Sequence, residues 1–349
     1  MDAAGYDPFA PGQYPVGVQT FRAHDAARGR VFPCEIWYPA LAESAAADEA
    51  RDATARRGPL PLVVFSHHSG GHRRKAVFLG RHLASHGYAV AALDHSEVIA
   101  PALARPAGET RAGQAARIAA VIGCRVPDVR FLLDHLLTDG VAGLEFDAAR
   151  VGLAGHSFGG WTVLAAPEVE PRVSAVVALA PGGGGRPKPG ILPLTLAFGW
   201  DHEVPALYLA AEDDVPVPLE GLRELFGRAP APKRMFVLRR ADHQHFVDDV
   251  EGEHEALRAM SLPGDAAWIP AAMRPASELS SGEQAHTFTR GLALAHLDAA
   301  LGRSAVPGRR RRGRARGARS RRLRVPGLSP APVRPDRAAG VAGRYDRPA

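Results

Sequence analysis

VGLAGHSFGGWTVL, residues 151–164, decides how the whole chain is read. An apolar run (Val151, Leu153, Ala154) is cut off by Gly155-His156-Ser157-Phe158-Gly159-Gly160, and a helix-like segment follows at once. In a strand–turn–helix of this kind, a sharp bend projects a serine hydroxyl and small flanking residues let the backbone pass closely. The spacing Gly155-x-Ser157-x-Gly159 is weak by itself. Its context strengthens it: the turn falls at the carboxyl end of a buried strand, where ligand sites in open α/β sheets lie. The helix behind it would turn its partially positive N-terminus toward an anion forming at Ser157.

Working outward, residues 1–302 alternate strands and helices. Val16–Arg22 and Val31–Tyr38 flank a turn-like HDAARG and predict a β-hairpin. Residues 42–58 have no packing face and read as a surface loop. Leu62–Phe65 predicts a strand, residues 73–86 an amphipathic helix, and Tyr88–Leu93 a further strand, with 96–112 as a loop. A helix is expected over about 113–124, and Pro127 is placed to open a second one over Asp128–Leu137. Val151–Ala154, Val173–Ala180, Ala206–Ala211 and Arg234–Leu238 are buried-type strands, and 283–301 a closing helix. Nearly all-apolar strands between helices predict a mostly parallel sheet covered on both faces, in one domain.

Bulk properties narrow the classes. A chain of 349 residues, 46% hydrophobic, can bury a large core. No basic-then-apolar leader begins it and no run of about 18 apolar residues occurs, so a cytoplasmic protein without a transmembrane segment is expected. Cys34 and Cys124 have neither disulfide nor metal spacing and read as buried thiols. The net charge of +6 is misleading: residues 303–349 hold fifteen Arg and two Asp, which leaves residues 1–302 with 28 basic and 35 acidic side chains. That Arg/Pro-rich tail reads as disordered, able to bind nucleic acid only non-specifically. A GC-rich coding sequence read in a shifted frame gives the same composition.

A serine hydroxyl needs a base, and the base needs a group to orient it. An acid and then a histidine should each follow a later strand. Ala206–Ala211 runs into Glu212-Asp213-Asp214, and Arg234–Leu238 into Arg239-Arg240-Ala241-Asp242-His243. Ser157, Asp214 and His243 therefore stand in the order that such an elbow requires.

These residues resemble the serine α/β-hydrolase group that contains plasma-type platelet-activating factor acetylhydrolase and bacterial dienelactone-hydrolase-like proteins. The resemblance spans about residues 12 to 300. It rests on Pro61-Leu62-Val63-Val64-Phe65-Ser66-His67, on Leu83-Ala84-Ser85-His86-Gly87-Tyr88-Ala89-Val90-Ala91-Ala92, on Gly155-His156-Ser157-Phe158-Gly159-Gly160 and on His243-Gln244-His245-Phe246. It implies the α/β-hydrolase fold and hydrolysis of a small-molecule or lipid carboxylic ester, of short-acyl or acetyl type, through an acyl-serine, with no metal or organic cofactor. Two departures stand out. Ala178-Leu179-Ala180 lacks the acid that the plasma acetylhydrolase carries there, so the acid must come from the next strand end. Asp214 is preferred to Asp213 because similar hydrolases place Pro four residues after the acid, as Pro218 is here. The family's Ser-His-Gly-x-Gly loop is Ser66-His67-His68-Ser69-Gly70-Gly71, and by position the backbone N–H groups of Ser69 and Phe158 would form the oxyanion hole. His68 in place of Gly threatens strain if that position needs a positive φ.

The other conspicuous residues have duller readings. His245 reads as a surface or gate residue rather than half of a metal pair. His67, His68 and His72 read as loop residues, Trp161 as core filling behind the elbow, and Asp94 and His95 as strand ends. Residues 181–204 form a Gly/Pro-punctuated insertion, a cap or pocket wall, whose Ile191, Leu192, Leu194, Leu196, Phe198 and Trp200 either line an acyl pocket or simply pack. Two other classes compete with an esterase: a hydrolase-fold binding protein disabled by His68, and a nucleic-acid-associated protein acting through the tail.

Overall fold

Along the central strands, alternate residues serve opposite faces, and both faces are apolar. Leu62, Val64, Ala89, Ala91 and Leu153 belong to one core, and Val63, Phe65, Val90, Ala92 and Ala154 to the other. The computed structural model describes residues 6–41 and 49–302. These lie within one compact unit, Met1–Pro307. The tail 303–349 and residues 42–48 of the expected surface loop are outside the described residues.

The strands are β1 (Val16–Asp25), β2 (Arg30–Pro39), β3 (Ala50–Arg51), β4 (Leu60–Ser66), β5 (Ala89–Leu93), β6 (Phe146–His156), β7 (Val173–Leu179), β8 (Ala206–Ala211) and β9 (Lys233–Leu238). They form one sheet in the order β3-β1-β2-β5-β4-β6-β7-β8-β9. From β5 across to β9 neighbouring strands run parallel, whereas β1–β2 is an antiparallel hairpin that joins the sheet antiparallel to β5. This is the α/β-hydrolase fold, a mostly parallel central sheet with helices on both faces and an antiparallel N-terminal hairpin. The short β3, inside the segment read as a loop, adds parallel to β1.

The helices are α1 (Val77–Ser85), α2 (Ser96–Ile99), α3 (Arg111–Asp134), α4 (Phe158–Ala165), α5 (Leu219–Arg228), α6 (Val250–Ala259), α7 (Trp268–Ala272) and α8 (Gly282–Ala300). Leu79, Leu83, Ala293, Leu294 and Leu297 pack α1 and α8 on one face of the sheet. Val129, Leu132, Val163, Leu164, Leu222 and Leu225 pack α3, α4 and α5 on the other. Among the described residues no helix is long and apolar enough to cross a membrane.

Pro127 does not open a second helix: α3 runs through it for 24 residues and ends in a π-turn at His135–Asp139. A proline inside a helix removes one N–H and crowds the carbonyl four residues back. Here that residue is Gly123, exposed like Pro127 itself, so water can take the freed carbonyl. The opposite face, with Val121, Arg125, Asp128, Val129, Leu132 and Leu133, stays buried. Of the two thiols, Cys34 is buried and Cys124 only half-buried.

Candidate active site

Ser157 sits between β6 and α4 at φ 59° and ψ −114°, a conformation that L-residues rarely hold. Hydrogen bonds pin its backbone. The Ser157 N–H donates to Leu179 O at 2.8 Å, and Ser157 O accepts from Trp161 N at 3.0 Å and Gly182 N at 3.2 Å. The bend closes because its flanks lack side chains: a Cβ on Gly155 would collide with the Gly159 carbonyl, and one on Gly159 with the Ser66 carbonyl at the end of β4. Backbone strain of this kind, about 1–3 kcal/mol, persists only where the surroundings over-determine it. It leaves the Ser157 side chain half-buried at the carboxyl edge of the sheet.

Asp214 follows β8 and His243 follows β9, so parallel pairing of those strands delivers both to the same edge. His243 Nδ1 lies 2.8 Å from Asp214 Oδ2, and Asp214 Oδ1 accepts from Val217 N at 2.7 Å. Burial disfavours the His243 imidazolium, but the Asp214 carboxylate outweighs it and raises the histidine's pKa. The imidazole rests against the elbow, with the His156 ring centroid 4.7 Å from its own. The Ser157 hydroxyl makes no hydrogen bond among the described residues, so the structure joins Asp214 to His243 and brings His243 to the turn without closing the last link. Asp213 faces away, its carboxylate 3.3 Å from Arg274 Nη1.

His245 is neither a surface nor a gate residue. It is 1% exposed. Its Nδ1 accepts from Asp242 N at 2.9 Å and its Nε2 pairs with Ser280 O at 3.0 Å. It completes a capping box on the short helical turn that carries His243. Among the described residues no group of three His, Cys, Asp or Glu side chains is disposed to hold a metal.

In the loop after β4, the positive φ falls on Gly70, at 71°, and not on His68, so the substitution at 68 strains nothing. His68 O is held by three donors: His67 Nδ1 at 2.7 Å, Gly71 N at 3.1 Å and Arg125 Nη2 at 3.2 Å. The His67 ring also accepts from His95 N at 3.2 Å, which fixes its tautomer. Burial, then the nearby Arg125, push its pKa well down, and it stays neutral. Burial likewise lowers His68 to about 4. Among the described residues the Ser69 N–H donates to no acceptor, and Phe158 N is the first N–H of α4, beyond reach of that helix's own carbonyls.

Behind this loop lies a fully hydrogen-bonded Ser–His–Asp array built from other residues. Ser66 Oγ is 2.8 Å from His95 Nε2, and His95 Nδ1 is 3.2 Å from Asp128 Oδ2. Asp128 also accepts from Ser96 N at 2.8 Å, Ser96 Oγ at 2.7 Å and Arg28 Nη1 at 2.6 Å. Ser66, His95 and Asp128 are each 0% exposed, so no substrate reaches that serine. Beside them Arg125, also 0% exposed, donates to His67 O at 2.6 Å, pairs with Glu97 and lies over the Phe158 ring at 4.1 Å. Sequence reasoning missed Arg125, Glu97 and Asp128. The one available signal was two charges, Arg125 and Asp128, on the apolar stripe of α3.

Trp161 is 8% exposed, and its Nε1 donates to Thr195 O at 2.7 Å, tying α4 to residues 181–204. That segment has neither helix nor strand beyond turns. Leu194 and Leu196 are buried in the core that α4 shares, and Leu192, Phe198 and Trp200 pack against it. Asp94 closes its strand by accepting from Arg73 N at 2.7 Å.

A family model described as "Platelet-activating factor acetylhydrolase, isoform II" matches residues 13–110. No curated protein gives a significant match. Among solved structures, a ferulic acid esterase from Streptomyces cinnamoneus superposes with a TM-score of 0.62 at 27% identity, covering 87% of this chain and 95% of its own. On this fold, these likenesses make the chain a carboxylic ester hydrolase that resembles platelet-activating factor acetylhydrolase.

Proposed function

We propose that residues 1–302 form a serine esterase domain that cleaves short-acyl carboxylic esters through an acyl-Ser157 intermediate, with His243 as general base and Asp214 as its orienting acid. The observation that carries this reading is the 2.8 Å Asp214–His243 bond, formed against a turn that holds Ser157 at φ 59°. Catalytic hydrogen bonds are commonly long before substrate binds, and this reading requires the Ser157 hydroxyl to come within reach of His243 Nε2 in the complex with substrate. The base takes the hydroxyl proton as Oγ attacks the ester carbonyl, while Asp214 keeps the Nδ1–H tautomer and steadies the imidazolium. The Ser69 and Phe158 N–H groups would receive the oxyanion. His243 then protonates the leaving alcohol, and water repeats the cycle to release the acid.

The likeness to a ferulic acid esterase over 87% of this chain favours a second acyl type, an aromatic cinnamate, on the same machinery. Turnover of p-nitrophenyl esters of increasing acyl length, run beside methyl ferulate, separates the two. Ser157→Ala should lose nearly all turnover, keeping only about 10³-fold over water, and should no longer react with a fluorophosphonate probe. Wild-type activity in that variant refutes the mechanism. Failure of the probe to label the unmodified protein would favour a non-catalytic binding protein instead.

A further inference from the structure

We propose that Arg125 is a positioning residue for the oxyanion hole: its buried guanidinium grips the carbonyls of His67 and His68 from behind and so aims the Ser69 N–H at the ester oxygen. The inference rests on the serine-esterase reading and adds a residue to it.

A trans peptide is planar, with its C=O and N–H pointing in opposite directions. The carbonyl of His68 and the N–H of Ser69 belong to one such unit. Whatever fixes His68 O therefore fixes the direction of the Ser69 N–H. Two of the donors on that oxygen, His67 Nδ1 and Gly71 N, come from the loop itself and would move with it. The third, Arg125 Nη2 at 3.2 Å, comes from α3, a 24-residue helix packed on the sheet. Arg125 Nη1 holds the preceding carbonyl, His67 O, at 2.6 Å, and reaches Ser66 Oγ at 3.4 Å. A planar guanidinium bonded to two successive carbonyls resists both sliding and rotation of the loop, which a single-point ammonium would not. Donors on the carbonyl also polarise the peptide, making its N–H a stronger donor.

The second oxyanion donor is tied to the same group. The guanidinium carbon lies 4.1 Å from the centroid of the Phe158 ring, whose own backbone N–H opens α4. One cation thus touches both the carbonyl behind the Ser69 N–H and the side chain of Phe158. Stability alone gives little reason to bury such a group, because replacing a buried ion pair by apolar side chains is often neutral or stabilising. Arg125 is 0% exposed, and the groups it satisfies are the carbonyls at the root of this loop together with Glu97.

The test is Arg125→Lys in the full-length protein, with active sites counted by fluorophosphonate labelling carried to completion. Turnover per labelled site should fall about 10–100-fold, less than outright loss of a donor, with KM within about threefold. The inhibition constant of an alkyl trifluoromethyl ketone, which forms a tetrahedral oxyanion on the serine, should rise in parallel. A merely structural role would lower the number of labelled sites and leave both quantities per site unchanged, and that result overturns the proposal. If Arg125→Lys does not fold, Glu97→Gln, which keeps side-chain volume and removes the charge steadying the guanidinium, carries the test. It should lower turnover several-fold with a matching loss of ketone affinity, and unchanged values overturn the proposal. Ser157→Ala is assayed alongside. Turnover surviving there would overturn the esterase reading itself, whereas an inactive Ser157→Ala beside an unaffected Arg125→Lys overturns only the positioning role.

Discussion

Exchanging Asp214 for asparagine probes the proposed triad at the bond that the structure forms. The amide oxygen of the new side chain can still accept from Val217 N, now 2.7 Å from Asp214 Oδ1, so the loop after β8 should keep its shape. That choice turns the amide NH2 toward His243 Nδ1, where the carboxylate oxygen now sits at 2.8 Å. Nδ1 must then accept, the ring proton moves to Nε2, and Nε2 can no longer take the proton of Ser157. In serine hydrolases this wrong-tautomer effect costs about 10⁴ in kcat, or about 5.5 kcal/mol of barrier at 1.36 kcal/mol per decade.

Hydrolysis of p-nitrophenyl acetate against pH reads both the loss and its cause. His243 works only while neutral, so wild-type kcat/KM should fall as pH drops through its raised pKa. In Asp214→Asn the raising charge is gone and burial remains, so the acidic limb of the residual activity should move to lower pH. Asp213→Asn is the control: its carboxylate faces a half-exposed Arg274 at 3.3 Å, and its removal should change kcat by no more than about threefold. An inactive Asp213→Asn with a near-normal Asp214→Asn, or an acidic limb that moves upward in Asp214→Asn, refutes the reasoning.

The corrected parts of the fold bear on stability. His245→Ala strips the buried Asp242 N–H and Ser280 O of their shared partner, and urea unfolding should show a loss of about 2–4 kcal/mol, whereas a change within about 0.5 kcal/mol would mean that the ring is idle. Pro127→Ala returns an N–H to the Gly123 carbonyl inside α3, and thermal unfolding should show a gain of about 2 kcal/mol, the helix-interior cost of proline less its restriction of the unfolded chain.

What could be seen in the sequence was whatever a few adjacent residues decide. Strands buried on both faces must be apolar throughout, so Leu62–Phe65 and Ala206–Ala211 were visible as strands. The elbow was visible because a strained serine needs flanking glycines, and Gly155 and Gly159 admit no Cβ. Pro127 was misjudged because the local rule counts the lost N–H and cannot see that the stranded carbonyl faces water. His245 was misjudged because a residue just past a strand end usually meets solvent, and its partner Ser280 lies 35 positions away.

The deepest ambiguity is that the chain offers two sets of Ser, His and Asp, one hydrogen-bonded throughout at Ser66 and one with its His243–Asp214 bond formed beside Ser157, and composition does not rank them. Ser66, His95 and Asp128 make hydrogen bonds of 2.8 and 3.2 Å, as well formed as anything at Ser157. What separates them is access and backbone. Ser66 ends a regular strand with 0% exposure, and its hydroxyl is already committed to His95. Ser157 is half-buried on a strained turn, with its hydroxyl free of any partner among the described residues. A nucleophile has to be reachable and uncommitted, and both properties come from segments far apart in the chain. On the proposed mechanism the buried array would serve as a scaffold for the oxyanion loop, because His95, Ser66 and Arg125 all bond to the segment that carries Ser69 and Asp128 holds His95. If so, substitutions such as Asp128→Asn should lower turnover before they lower the melting temperature in proportion, since the loop's aim is more sensitive than its survival.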